Sequence, residues 1–153
     1  MKRGIRFIIP NKYGTFLSDL LSPIDISAFT WRIGDGESYK IIDHALGEDL
    51  FPVDKKVLTG KELAIYLKIP QYIIFADLKG YRGGRTENIE TYERYLKSNC
   101  EFVLLVVDSC YVTIYCKNTA KLKLLHENAR RLGFEELEYI TDENDTSTSM
   151  TPW

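Results

Sequence analysis

The residues with the most chemical potential in this chain of 153 are consecutive: Asp77-Leu78-Lys79-Gly80-Tyr81-Arg82-Gly83-Gly84-Arg85. Lys79, Arg82 and Arg85 supply cations, the glycines allow close backbone approach, and Tyr81 offers a ring to stack on a base. The stretch follows an apolar run and precedes a candidate helix start, where free N–H groups and the helix dipole favour anions. A phosphate or a small anionic ligand is the chemistry this composition suits. The spacing matches neither GxxxxGK[ST] nor GxGxxG, so no nucleotide-binding fingerprint is present.

Asp77-x-Lys79 also has the form of half a metal-dependent phosphodiester-cleaving site, where carboxylates hold Mg²⁺ and a lysine steadies the attacking water. Such a site needs a second acid from a neighbouring strand, for which Asp43 or Asp54 is the candidate. Against this stands the plain reading of Asp77 as a strand-end aspartate and of 79–85 as a solvated loop. Tyr111 and Tyr115 form a second candidate surface: at spacing i, i+4 on a strand they share one face, either core under helices or an open binding surface. Core is the favoured reading, because amphipathic helices need an apolar sheet to cover.

Other reactive types do not assemble. Cys100, Cys110 and Cys116 are an odd number without framework spacing, as suits a reducing compartment. Cys110 and Cys116 fall on one strand about 20 Å apart, too far to bridge. His44 and His126 lack a partnering nucleophile. Asp142-Glu143-Asn144-Asp145 lacks the glycine and distal glutamate of an EF-hand loop. Residues 135–145 hold six acids and no base, an acidic end that could neutralise the 79–85 loop. No catalytic residues, metal ligands or cofactor are assigned.

The elements that would position these groups follow from periodicity. Gly4–Ile9 reads as a strand stopped by Pro10, and Asn11 caps a helix with the stripe Tyr13, Phe16, Leu17, Leu20, Leu21. Phe29–Ile33 and Ser38–Asp43 flank Gly34-Asp35-Gly36-Glu37 as a hairpin, while 44–58 gives no clear signal. Thr59-Gly60-Lys61-Glu62 is a capping box for a helix ending near Ile69. Tyr72–Leu78 is a strand, Lys79–Arg85 a loop, and Asn88 caps a helix with the stripe Ile89, Tyr92, Tyr95, Leu96. Phe102–Val107 is apolar without alternation, hence a central strand buried on both faces. Asp108-Ser109 is a two-residue turn into Tyr111–Cys116, which puts Tyr111 opposite Val106 and Tyr115 opposite Phe102. Asn118 caps a helix striped by Leu122, Leu125, Ala129 and Leu132, with Gly133 as its stop and Phe134–Ile140 as the last strand.

The fold class is therefore α+β, with a mixed, mainly antiparallel sheet and helices on one face. Residues 72–140 have the βαββαβ order of a ferredoxin-like unit, and a βαββα duplication could relate the two halves. Residues 1–141 are expected to form a single domain and 142–153 a polar C-terminal segment.

The chain also resembles a known family. The carrying residues are Ile9-Pro10-Asn11 with Tyr13-Gly14, Pro23-Ile24-Asp25-Ile26, Phe75-Ala76-Asp77-Leu78 and Val106-Val107-Asp108-Ser109 with Tyr111–Cys116. Tyr139-Ile140-Thr141-Asp142-Glu143-Asn144-Asp145-Thr146 and the terminal Trp153 complete the set. These resemble an uncharacterised family of small soluble Bacillus-type (Firmicutes) proteins, a domain of unknown function. The resemblance implies a full-length, single-domain protein with no assigned activity, and a C-terminal segment that is more than a loose tail.

Charge and length narrow the function class. A net charge of −2, with 20 basic and 22 acidic residues, argues against a general nucleic-acid binder. No apolar run approaches the roughly 18 residues that suggest a membrane span, and the start of the chain lacks a signal-peptide core. The expectation is a cytoplasmic, non-enzymatic binding or protein-interaction domain. The alternative is a small-molecule or nucleotide (phosphate) binding protein, or a metal-dependent phosphodiester-cleaving enzyme, centred on Asp77–Arg85.

Overall fold

A computed structural model describes residues 1–153. Nine strands form one sheet: β1 (Lys2–Ile8), β2 (Thr30–Ile33), β3 (Glu37–Ile42), β4 (Ala45–Asp49), β5 (Val57–Thr59), β6 (Gln71–Tyr81), β7 (Cys100–Val107), β8 (Tyr111–Cys116) and β9 (Glu135–Thr141). Four helices join them: α1 (Phe16–Leu21), α2 (Gly60–Leu67), α3 (Tyr92–Lys97) and α4 (Thr119–Arg131). The sheet runs β4-β3-β6-β7-β8-β1-β9, and every ladder in it is antiparallel. The expected mixed character is corrected accordingly. β7 is central, as its unbroken apolar run requires.

The long strand β6 organises one end. On one side it pairs with β7. On the other, its first half pairs with β3 and its second half with β2, which itself pairs with β5. The expected loop at Lys79 does not begin there, because β6 continues through Tyr81. Lys79 tolerates a strand position because its charge meets Asp77 on the same face, and Gly80 leaves room for the Trp31 ring.

The sequential order β-α-β-β-α-β over 71–141 is present, but its pairing is not ferredoxin-like. A split βαβ separates two parallel strands by a third, whereas β6 and β7 are adjacent and antiparallel. The six residues of α3 do not carry the chain across the sheet, so it returns beside the strand it left. The proposed duplication fares no better in the pairing: β1 lies between β8 and β9, while β6 lies between β7 and the β2/β3 pair. The stretch 44–58 contributes β4 and the lead into β5.

Two apolar layers sandwich the sheet. One face presents Phe102, Leu104, Val106, Val112 and Ile114 to α1, α2 and α4. The other presents Tyr81, Val103, Leu105, Tyr115 and Ile140, with Ile89, Tyr95 and Met150 packed against them. α3 therefore covers the second face, which corrects the expectation of helices on one face. The reason lies in β7: a strand apolar on both sides needs cover on both sides. The C-terminal segment shares this task. Met150 is fully buried, Thr91 bridges to Ser149, and the Met150 N–H donates to the Glu90 carbonyl at 2.9 Å.

Local signals fare unevenly. The capping box forms, with the Glu62 N–H donating to Thr59 Oγ1 at 3.1 Å and the Thr59 N–H to Glu62 Oε1 at 3.0 Å. Asn118 caps α4, and Gly133 takes φ of +77° beyond its end. Thr15 rather than Asn11 precedes α1, and Thr91 rather than Asn88 caps α3. The β7–β8 connection has three residues, not two, with Asp108 and Ser109 both at positive φ. This slips the register by one: Tyr111 opposes Val107 and Tyr115 opposes Val103.

Two interactions tie distant segments together. Buried Asn128 on α4 donates to the carbonyls of Asp19 and Leu20 at 2.9 and 2.8 Å, satisfying the end of α1. Asn128→Ala strands those carbonyls and should cost about 1–3 kcal/mol in urea denaturation. On the second face, Arg3 pairs with Asp142 at 2.8 Å and with Asp145 at 3.4 Å. The acidic end thus neutralises Arg3 and not the 79–85 loop. Arg3 holds the Asp142 carboxyl below its ordinary value of 3.8. The pair's contribution is present above that ordinary value and is lost as pH falls through the lowered one. NMR titration should find Asp142 below 3.8, and Arg3→Ala should return it towards that value.

Candidate functional site

The place where β2 and β3 part company along β6 is chemically the richest in the molecule. Both strands pair with β6, so the turn between them, Gly34-Asp35-Gly36, lies against its middle. The Gly34 N–H donates to the Asp77 carbonyl at 2.8 Å. A Cβ on Gly34 would stand 2.6 Å from Asp77 Oδ2, so only glycine lets the turn approach so closely. Phe75, Asp77, Lys79 and Tyr81 alternate onto the second face of the sheet, in line along β6.

Asp77 and Lys79 form a buried ion pair, Lys79 Nζ donating to Asp77 Oδ1 at 2.5 Å, with side chains 5% and 8% exposed for Lys79 and Asp77 respectively. Burial raises the Asp77 pKa above its ordinary value, and the neighbouring Lys79 ammonium opposes the rise. Arg32, opposite Lys79 on β2, acts in the same direction as Lys79. Arg32 is half-buried and makes neither an ion pair nor a side-chain hydrogen bond.

A cleft of about 640 Å³ opens over Asp77 and Arg32. The 34–36 turn and Lys56 form one bank, and Asn88, Glu90 and the C-terminal strap 148–153 form the other. A smaller cleft of about 240 Å³ lies on the other side of the turn, against Phe51, Val53 and Phe75. The two share Ile33, Gly34, Asp35, Lys56 and Asp77 as a common wall. Trp153 of the strap meets Phe75 edge-on, with ring centroids 5.0 Å apart.

Of the residues singled out by sequence, only Asp77 and its partner Lys79 belong to this place. Tyr81 is fully buried, and its hydroxyl donates to the Glu87 carbonyl at 2.5 Å, so its ring cannot stack on a base. Arg82 pairs with Glu101 at 3.0 Å, and the Arg85 carbonyl accepts from Asn99 at 3.0 Å; neither arginine lines the cleft. Tyr111 and Tyr115 have opposite fates. Tyr111 is 54% exposed, whereas Tyr115 is buried against Tyr92 and Tyr95 and donates to Asp145 Oδ2 at 3.0 Å. Asp43 and Asp54 do not line the cleft; the acid that shares its wall with Asp77 is Asp35. No three His, Cys, Asp or Glu residues are grouped as a metal site.

Arg32, Lys56 and the strap had no signal in the sequence, because nothing local marks a residue whose neighbours come from three other segments. A hairpin turn with two glycines was the closest available hint. The cysteines lie elsewhere: burial pushes the Cys100 and Cys116 thiols up to about 12, which keeps them protonated and poorly nucleophilic.

A family model described as a protein of unknown function (DUF2691) matches residues 2–151. The chain belongs to this family. It is 42% identical over 153 residues to the uncharacterized protein YncE of Bacillus subtilis (strain 168), with 99% of each chain covered. No solved structure matches it. The resemblance carried by Phe75-Ala76-Asp77-Leu78 and the Trp153 end thus stands, and both segments border the cleft. No helix is long and apolar enough to cross a membrane.

The ion pair yields a direct test. Asp77→Ala leaves a buried ammonium without its acceptor and should cost about 3–5 kcal/mol. Asp77→Leu combined with Lys79→Met removes both charges and should recover most of that loss. Chemical denaturation of the two variants and the parent checks both outcomes.

Proposed function

We propose that this protein is a non-enzymatic binding protein that holds a small anionic ligand in the cleft between the 34–36 turn and the C-terminal strap. One observation carries the reading: the half-buried Arg32 guanidinium is unpaired, whereas the other cations beside it are committed. Lys79 is bound to Asp77, and Lys56 reaches Asp35 at 3.5 Å. A guanidinium partly removed from water gains most from a planar, bidentate oxyanion, and the cleft leaves room for one.

The surrounding groups support binding over turnover. Asp77 is held by Lys79 on one oxygen and covered by Gly34 near the other, so it is poorly placed to move protons. Of the strap hydroxyls at the opening, that of Thr148 makes no hydrogen bond, while those of Ser149 and Thr151 bond each other and Thr151 Oγ1 donates to Trp153 O at 2.6 Å. In this reading residues 1–141 act as one domain, and 142–153 is the strap that completes its site. A cytoplasmic location suits the three free cysteines.

The position differs from the one expected from sequence. The anion site belongs to Arg32 at the β2–β6 junction, while Arg82 pairs with Glu101 and Arg85 does not line the cleft. Thermal-shift and calorimetric titrations with acetate, butyrate and inorganic phosphate test the proposal. At 100 times Kd a ligand stabilises by about 2.7 kcal/mol. For a domain of this size that corresponds to a rise in Tm of roughly 5–10 °C. Arg32→Gln should abolish the shift while leaving the Tm of the free protein near that of the parent. Equal shifts in parent and variant would move the site away from Arg32.

A further inference from the structure

Resting on the proposed anion site at Arg32, we infer that the carboxylate held there belongs to a free α-amino acid with a polar, uncharged side chain, whose ammonium faces the wall formed by Asp35 and Asp77. The whole ligand lies in the larger cleft. The smaller one, beyond the 34–36 turn, plays no part.

Charge is the first argument. The larger cleft is lined by the cations Arg32 and Lys56 and by the carboxylates of Asp35, Asp77, Glu90 and the terminal Trp153. Lys79, bound to Asp77, brings the balance to three cations against four anions. A simple anion drawn to Arg32 adds to that excess, whereas a ligand that carries its own ammonium does not. The negative charge is also concentrated where an ammonium can use it. Asp35 follows the turn residue whose N–H donates to the Asp77 carbonyl, and its charge adds to the rise in the Asp77 pKa, so the two carboxylates repel each other. The Asp35 carboxylate is 82% exposed and has only Lys56, at 3.5 Å, as a partner. An ammonium beside it relieves the repulsion.

Distance selects the α position. Arg32 pairs with Lys79, so Asp77, two residues back on β6, is its diagonal neighbour on the same face. Such neighbours stand about 7–8 Å apart. In an α-amino acid, N–Cα and Cα–C bonds of about 1.5 Å hold the two charged groups roughly 2.5 Å apart. A charge-assisted hydrogen bond of about 2.8 Å at each end brings the span to roughly 8 Å. An ω-amino acid, with several methylenes between its charges, overshoots it.

The rest of the lining sets the side chain. Apart from Ile33, Pro152 and Trp153 it is polar or glycine. The Thr148 hydroxyl makes no hydrogen bond, and Asn88 uses its amide N–H on Glu90 while its amide oxygen accepts none. A ligand amide, with one acceptor oxygen and two N–H donors, complements that pair.

The probes are L-glutamine, glutaramate (which lacks the ammonium), L-glutaminamide (which lacks the carboxylate) and 5-aminovalerate (which separates the two charges), titrated calorimetrically into the full-length protein. L-Glutamine should bind at least tenfold more tightly than each of the others. Arg32→Gln should remove its advantage over glutaminamide, and Asp35→Asn its advantage over glutaramate. Asp35 lies in an exposed turn, so that variant should fold as the parent does. If glutaramate binds through Arg32 as tightly as glutamine, the amino acid is wrong while the anion site stands. If 5-aminovalerate equals glutamine, the α position is wrong. If none of the four binds, the amino acid and the anion site both fall.

Discussion

Strand β6 must satisfy three partners at once. Its eleven residues pair with β7 along one side and with β3 and β2 in succession along the other. Two strands cannot share one edge without diverging somewhere, and they diverge at Gly34-Asp35-Gly36. That divergence leaves the hollow on each side of the turn. The branched end of the sheet, the position of Arg32 and the bank formed by Lys56 all follow from it.

The same strand places a charge pair where the fold is otherwise apolar. Asp77 and Lys79 are one pleat apart, so both face the second layer, beside Val103 and Leu105. Neither charge is tolerable alone at that depth, since an unpaired buried ion costs several kcal/mol. A buried pair of this kind is weak ground for stability, because well-packed apolar residues would serve as well. It lies on the floor of a cleft, with an uncommitted arginine beside it, and so forms part of the proposed anion site.

The second face shows how the ends of the chain become structure. Arg3 from β1 stacks on Tyr92, its guanidinium carbon 4.2 Å from the ring centroid, and pairs with Asp142 and Asp145. Asp145 accepts from Tyr115, and Met150 packs in the same buried cluster as Tyr95 and Tyr115. An acidic, polar tail of unremarkable composition is thereby anchored by one methionine and two aspartates. Composition alone did not reveal this, because one buried methionine in twelve residues is a slight hydrophobic signal.

What the sequence determined by itself is local and short in range. The capping box at Thr59–Glu62, the Asn118 cap, the stop at Gly133, the both-sides-apolar strand 102–107 and the alternation of 111–116 all appear as read, because their causes lie within a few residues. The family, too, was legible in short segments of this chain. Tertiary structure decided the rest: that β6 runs on past Lys79, that α3 crosses to the second face, that β1 inserts between β8 and β9, and that Arg32 stands opposite Lys79. Each of these depends on a partner tens of residues away. A charged residue at 79 reads as a loop until its counter-charge is seen on the same pleat, and a site built from four segments exists only once the sheet has brought them together.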